Sequence, residues 1–195
     1  MKIVAATKNK GKIKEIKNIL SESEYEIVSM SDIGIKTDVV EDGATFEENA
    51  LKKAVEIMSQ CNEITLADDS GLVVEALNGE PGIYSARYSG VHGQDIDNNI
   101  LLLKNMEGKK DRRAKFVCAM ALVFPNGRKI CVKGEFHGNI GYEMKGSNGF
   151  GYDSVFYPLG YDKTSAEISP EEKDKISHRA KALNALKAEL TKIKD

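Results

Sequence analysis

The sequence predicts an α/β domain built on a mixed sheet. Three observations carry that expectation. Short apolar runs rich in β-branched residues alternate with segments of helical periodicity. Helix starts are marked by side-chain caps at Thr45 and Ser169. Two β-rich runs flank Pro125-Asn126-Gly127, the pattern of a hairpin. The 195 residues suit one domain, residues 1–195, with room for two lobes around a shared core.

In chain order, "KIVAAT" reads as a buried strand. "GKIKEIKNILSES" follows as a helix with Ile13, Ile16, Ile19 and Leu20 on one stripe. A second helix, "ATFEENALKKAVEIMSQC", opens on the capping box Thr45/Glu48 and presents Phe46, Ala50, Ala54 and Ile57. "ITLADD" reads as a strand that ends on paired aspartates, and "DIDNNILLLKNM" as a helix. The hairpin spans "AKFVCAMALVFPNGRKICVKGEF". A glycine-rich loop, "KGSNGFGYDSVF", leads to a final helix opening at Ser169-Pro170, with the stripe Ile176, Ala180, Leu183, Leu186, Leu190 and Ile193. The expected order is therefore β-α-α-β, then mostly β, then α.

Composition excludes several classes. A formal net charge of −2 argues against binding to bulk nucleic acid, where a basic surface supplies most of the affinity. No stretch is apolar for long enough to cross a bilayer, and the N-terminus lacks a signal-peptide core. Cys61, Cys118 and Cys131 fit no metal spacing, and their odd number suits no disulfide framework. Cys118 and Cys131 lie in apolar strand-like runs and are expected to be buried thiols. A reducing, cytoplasmic setting follows as the expectation.

Four stretches could carry chemistry. "TKNKGK" lies at a strand-to-helix junction, where unpaired N–H groups favour an anion; Thr7, Lys8, Asn9, Lys10, Gly11 and Lys12 are its candidates. A solvated polar loop accounts for the same residues, and no Walker A pattern is present. Glu41, Asp42, Glu47, Glu48, Asp68 and Asp69 supply hard oxygen ligands for a cation such as Mg²⁺. Capping explains Glu47 and Glu48; it does not explain two adjacent aspartates. "SNGFGYD" lets backbone approach a ligand, and Phe150 or Tyr152 could stack on a base. In the last helical segment Lys173 and His178 stand about 140° apart on one straight helix. Either they flank a ligand, or the first turn is a separate piece and Ser177 opens the longer helix.

In this order, "TKNKGK", "EDGATFEENALKKA", "ADDSGL", "GEPGIYSARYSG", "GFGYD" and "SHRAKAL" resemble the inosine/xanthosine triphosphate pyrophosphatases, from about Ile3 to Leu186. Met144-Lys145 stands where many members have Pro-Arg, and Ser154 replaces a common proline. The resemblance implies an elongated mixed sheet flanked by helices, two lobes with a central cleft, and a homodimer. It implies Mg²⁺-dependent hydrolysis of a nucleoside triphosphate to monophosphate and pyrophosphate. Asp69 becomes the general base and, with Glu41, a metal ligand. Thr7 to Lys12 become the phosphate loop. Ser70, Phe150, Gly151, Tyr152, Asp153, Lys173, His178 and Arg179 become substrate contacts, with Arg179 or His178 donating to a 6-oxo purine. Asp68 is expected to support the metal from its outer shell. A related pyrophosphatase of different base preference, and a nucleotide sensor that does not hydrolyse, are the competing readings.

Overall fold

The structure, a computed structural model, describes residues 1–21 and 24–194, the side chains of 193 and 194 excepted. Glu22 and Ser23, at the end of the first expected helix, and the Ile193 side chain of the last stripe lie outside the described residues.

Six strands form one mixed sheet. They are β1 (Lys2–Ala5), β2 (Glu26–Ser29), β3 (Thr65–Val74), β4 (Arg113–Val123), β5 (Lys129–Ile140) and β6 (Phe156–Pro158), in the spatial order β2-β1-β3-β4-β5-β6. β1 runs parallel to both β2 and β3, with Val4 opposite Val28 and Thr65, while β5 and β6 are antiparallel. The helices are α1 (Lys10–Ile19), α2 (Phe46–Cys61), α3 (Asp95–Asn105), α4 (Pro170–Ile176) and α5 (His178–Lys194). Among the described residues, no helix is long and apolar enough to cross a membrane.

The chain clusters into two compact units, and each has its own core. The first comprises Met1–Asp69, Cys118–Gly134 and His178–Asp195. Strand alternation divides its interior. Ile3, Leu66, Met120 and Leu122 meet Ile16 of α1, Leu20 just after it, and Leu183, Leu186 and Leu190 of α5. Their neighbours Val4, Ala67, Ala119 and Ala121 meet Ala50, Ala54 and Ile57 of α2. Alanine on both sides of that second interface lets α2 lie close to the strands, which matters for the site. The second unit, Ser70–Val117 and Glu135–Ser177, packs Leu72, Val74, Leu102 and Met106 around Phe156. The Phe156 ring lies 4.7 Å from that of Phe116 and 5.5 Å from that of Phe136, tilted against both.

The expected α/β class and mixed sheet are present, with four departures in detail. β3 does not end on the aspartates but continues through Ser70-Gly71 to Val74, because Leu72 and Val74 keep the burial pattern going. β2 and β6 were not expected; four and three residues long, they are too short to show a period. β6 ends on Pro158 at the sheet edge, where a missing N–H breaks no ladder. Cys118 is buried as expected, but Cys131 is exposed. Parity decides this: Ile130 and Val132 turn inward from β5 and Cys131 between them turns out.

The caps behave as the sequence implies. The Thr45 hydroxyl accepts from the Glu48 N–H at 3.1 Å, and the Glu48 carboxylate reaches back to the Ala44 N–H at 2.7 Å, one residue earlier than a capping box requires. The Ser169 hydroxyl accepts from the Glu172 N–H at 3.2 Å, with Pro170 opening α4. The terminal helical segment is two pieces. Ser177, extended at φ −65° and ψ 162°, separates α4 from α5, so Lys173 and His178 do not share a helix.

Candidate active site

β1 delivers the chain into Thr7–Asn9, and α1 begins at Lys10. Asn9 caps it, its side-chain oxygen accepting from the Lys12 N–H at 3.1 Å, while Thr7 Oγ1 accepts from the Asn9 N–H at 3.2 Å. This turn aims its lysines differently. Lys8 points outward to Asp38 at 2.7 Å and the Lys36 carbonyl at 2.9 Å, and Lys10 is exposed. Lys12 points inward, and its ammonium lies 3.0 Å from Asp68.

The adjacent aspartates occupy opposite faces of β3. Asp68, 1% exposed, lies on the side of Leu66, α1 and α5. There Lys12 and Arg179, the latter at 3.2 Å, converge on its Oδ2. Arg179 is itself 1% exposed and also pairs with Glu15 of α1. Burial alone would raise the Asp68 pKa, but the charges of Lys12, Arg179 and Lys53 outweigh it and hold the carboxyl well below the usual carboxylate range. Against its own burial, Asp68 and then Glu15 drive the Arg179 pKa upward. Beside this pair, burial pushes the Cys118 thiol up to about 12, and Asp68 adds to the effect, so this cysteine is inert at neutral pH.

Asp69 faces the alanine-rich side and α2. Its Oδ2 accepts from Asn49 Nδ2 at 3.0 Å. The Asn49 side-chain oxygen accepts from the Gly43 N–H at 2.8 Å, so one buried amide ties the Glu41–Ala44 loop to the strand. Gly43 has no room for a side chain: a Cβ there would fall 2.8 Å from that oxygen and 2.9 Å from the Glu48 Cβ. Burial pushes the Asp69 carboxyl above its ordinary value. Lys53 pulls it down, and the negative charge of Glu41 pushes it up again. Lys53, on α2, is paired with Glu41. Burial favours its neutral form, but Asp68 and Glu41 outweigh this and raise its pKa.

The neighbours of this pair therefore separate two roles. Asp68 is an anchor for Lys12 and Arg179, held in its ionised form at neutral pH. Asp69 is a carboxylate with raised proton affinity, held by a neutral amide. That is the electrostatic profile of a general base.

Glu41 and Asp69 fit a hard divalent cation. Both offer carboxylate oxygens, and Glu41 acts on the Asp69 charge across a buried setting. Among the described residues no group of three or more His, Cys, Asp or Glu is gathered into an all-protein cage. Two carboxylates leave a small cation such as Mg²⁺ its water and substrate ligands.

The remaining candidates divide between the units. His178, first in α5 and 6% exposed, belongs to the first with Thr7–Lys12, Glu41, Asp69 and Arg179. Ser70, Phe150, Gly151, Tyr152, Asp153 and Lys173 belong to the second. There Lys173 is 2.5 Å from Asp153, and its ammonium lies 5.1 Å from the centre of the Phe150 ring. Tyr152 is committed to the core, its hydroxyl donating to the Ser85 carbonyl at 2.8 Å. Of the two aromatics considered for stacking, Phe150 is the one outside the core.

Asn49, Lys53 and Glu15 escaped the sequence reading. A signal existed for the first two. Asn49 is a poor helix former in an otherwise strong helix. It lies four residues before Lys53 and borders the Ala50/Ala54/Ile57 stripe. Glu15, on a lysine-rich helix, looks like any solvated charge.

The first unit thus gathers the carboxylate of Asp69, raised in proton affinity, with the charges of Glu41, Lys53 and Lys12 acting on it. The sequence model of the Ham1 family matches residues 3–189. A dITP/XTP pyrophosphatase of Clostridium tetani is 48% identical over 191 residues, covering 96% of this chain and 95% of its own. One from Bacillus licheniformis is 48% identical over 188 residues, covering 95% and 96%. The structure of the Staphylococcus aureus Ham1 protein superposes with a TM-score of 0.88 at 44% identity, covering 98% of both chains. The chain belongs to the Ham1 family.

Proposed function

We propose that this protein is a nucleoside triphosphate pyrophosphatase that hydrolyses deaminated purine nucleotides, ITP, dITP and XTP, to the monophosphate and pyrophosphate. The observation that carries this reading is Asp69: buried, raised in proton affinity, held by Asn49 and flanked by Glu41 and Lys53. The activity named for the relatives supports it.

In the proposed reaction Asp69 orients a water molecule and takes its proton as the oxygen attacks the α-phosphorus. The anhydride P–O bond breaks, and its electron pair leaves with pyrophosphate. Lys12 and Lys53 offset charge on the phosphates. Glu41 and Asp69 would hold Mg²⁺, which supplies charge compensation to the triphosphate when bound. The Thr7–Lys12 turn receives phosphate oxygens at the start of α1.

The base-donor role is assigned to Arg179 or His178; two Arg179 nitrogens pair with Asp68 and Glu15, and a guanidinium carries five N–H donors. A donor there pairs with a 6-oxo group and meets another donor in adenine. Phe150 and Lys173 are assigned to the base, Ser70 and the Gly151–Asp153 backbone to further substrate contacts. A single 1–195 domain acting as a cytoplasmic homodimer, without stable nucleic-acid binding, completes the reading.

Pyrophosphate release from ITP, XTP, GTP, ATP and dTTP, with Mg²⁺ and with EDTA, tests this reading. The expected result is fast release from ITP and XTP, little from GTP or ATP, and loss of release in EDTA. Release undiminished by EDTA would remove the metal from the scheme. Preference for dTTP would overturn the base assignment.

A further inference from the structure

One helix of the second unit grips the glycine-rich loop at a single residue. Gly151 adopts φ +62°, in the left-handed region. Its N–H donates to Asp95 Oδ2 at 2.7 Å, and its carbonyl accepts from Asn99 Nδ2 at 2.8 Å. The same Asn99 nitrogen donates to the Asp95 backbone carbonyl at 2.7 Å, which fixes the amide's orientation. Asn99 is 2% exposed and Asp95 half-buried, both in the first turns of α3. Both backbone polar groups of Gly151 are thus satisfied by α3.

The neighbouring anchor is Asp153. It accepts from the Phe150 N–H at 2.9 Å and from Lys173 at 2.5 Å. Phe150 is therefore held twice, its own N–H by Asp153, which Lys173 anchors, and the next residue, Gly151, by α3. Asp95 and Asn99 act on the loop at the Gly151 backbone, one residue from the Phe150 ring.

We infer that Asp95 and Asn99 are positioning residues that set the Phe150 ring for substrate. This rests on the reading of Phe150 as a base contact. A brace that merely stabilised the second unit would lower the melting temperature and leave substrate affinity alone. A positioning clamp acts on KM, because a ring contact made in both ground and transition state is uniform binding.

The test is steady-state kinetics on ITP for Asp95→Ala, Asn99→Ala, Asp95→Asn, Phe150→Ala and the double variant Asp95→Ala/Phe150→Ala, each with a thermal melt. Asp95→Ala and Asn99→Ala are expected to raise KM about tenfold with kcat within about twofold, the size of one lost hydrogen bond. Asp95→Asn keeps a side-chain oxygen for the Gly151 N–H and holds KM within about twofold. The double variant is no worse than Phe150→Ala, since the clamp acts through that ring. Lowered melting temperature with unchanged KM would reduce the clamp to a brace. Additive KM effects in the double variant would overturn the inference while leaving Phe150 a contact. An unchanged KM in Phe150→Ala would overturn the base-contact reading and the inference with it. Should Asn99→Ala fail to fold, the half-buried Asp95 pair carries the test.

Discussion

Asp69→Asn is expected to lower kcat for pyrophosphate release from ITP by about a hundred- to ten-thousandfold, the range a positioned general base contributes. Asn is isosteric, and its side-chain oxygen still accepts from Asn49, so the Glu41–Ala44 loop stays tied through Gly43. Nucleotide affinity by calorimetry should therefore change much less than kcat. Stability supplies an independent sign. A carboxyl whose folded pKa is raised penalises the native state at pH values above its ordinary value of 3.8. At neutral pH the amide removes that penalty, and Asp69→Asn should melt at or above the wild-type temperature. At pH below the ordinary value both forms are neutral and the difference vanishes. Turnover near the wild-type rate would sink the general-base assignment.

Arg179→Leu carries the largest expected loss of stability. It leaves Asp68 without one of the two cations that converge on its Oδ2, and removes the Glu15 partner within the same buried cluster. Removing one member of a buried ionic cluster costs about 3–5 kcal/mol. For a chain of this length that lowers the melting temperature by roughly 10 °C or more. The pH dependence follows from Asp68. Its folded pKa is depressed below the ordinary 3.8, so its ion pairs contribute fully above that value. The contribution fades as pH falls from about 4 through the folded value. Wild type should hold its full advantage over the variant at pH 6 and lose it progressively in acid. Calorimetric melts between pH 3 and pH 7 read this directly, and a gap independent of pH would contradict the assignment.

These two substitutions show where sequence reasoning succeeded and where it stopped. The caps at Thr45 and Ser169, the hairpin and the stripe on α1 were legible because each is a local pattern. The break at Ser177 was one of two alternatives that the angle between Lys173 and His178 left open, and the structure shows it. Adjacency suggested that Asp68 and Asp69 share one job. Strand parity gives them opposite faces, and which helix covers each face is a tertiary fact. The same limit hid Asn49 and Lys53, whose meaning depends on how close an alanine-rich interface brings α2 to β3. Cys131 was misplaced because an apolar run on one face of a hairpin does not announce which residues point out.

The most direct test of the central claim is hydrolysis of ITP in ¹⁸O-enriched water, with mass analysis of both products. Attack on the α-phosphorus places the label in inosine monophosphate and leaves pyrophosphate unlabelled. Label in pyrophosphate, or release of inorganic phosphate as the primary product, would contradict the account.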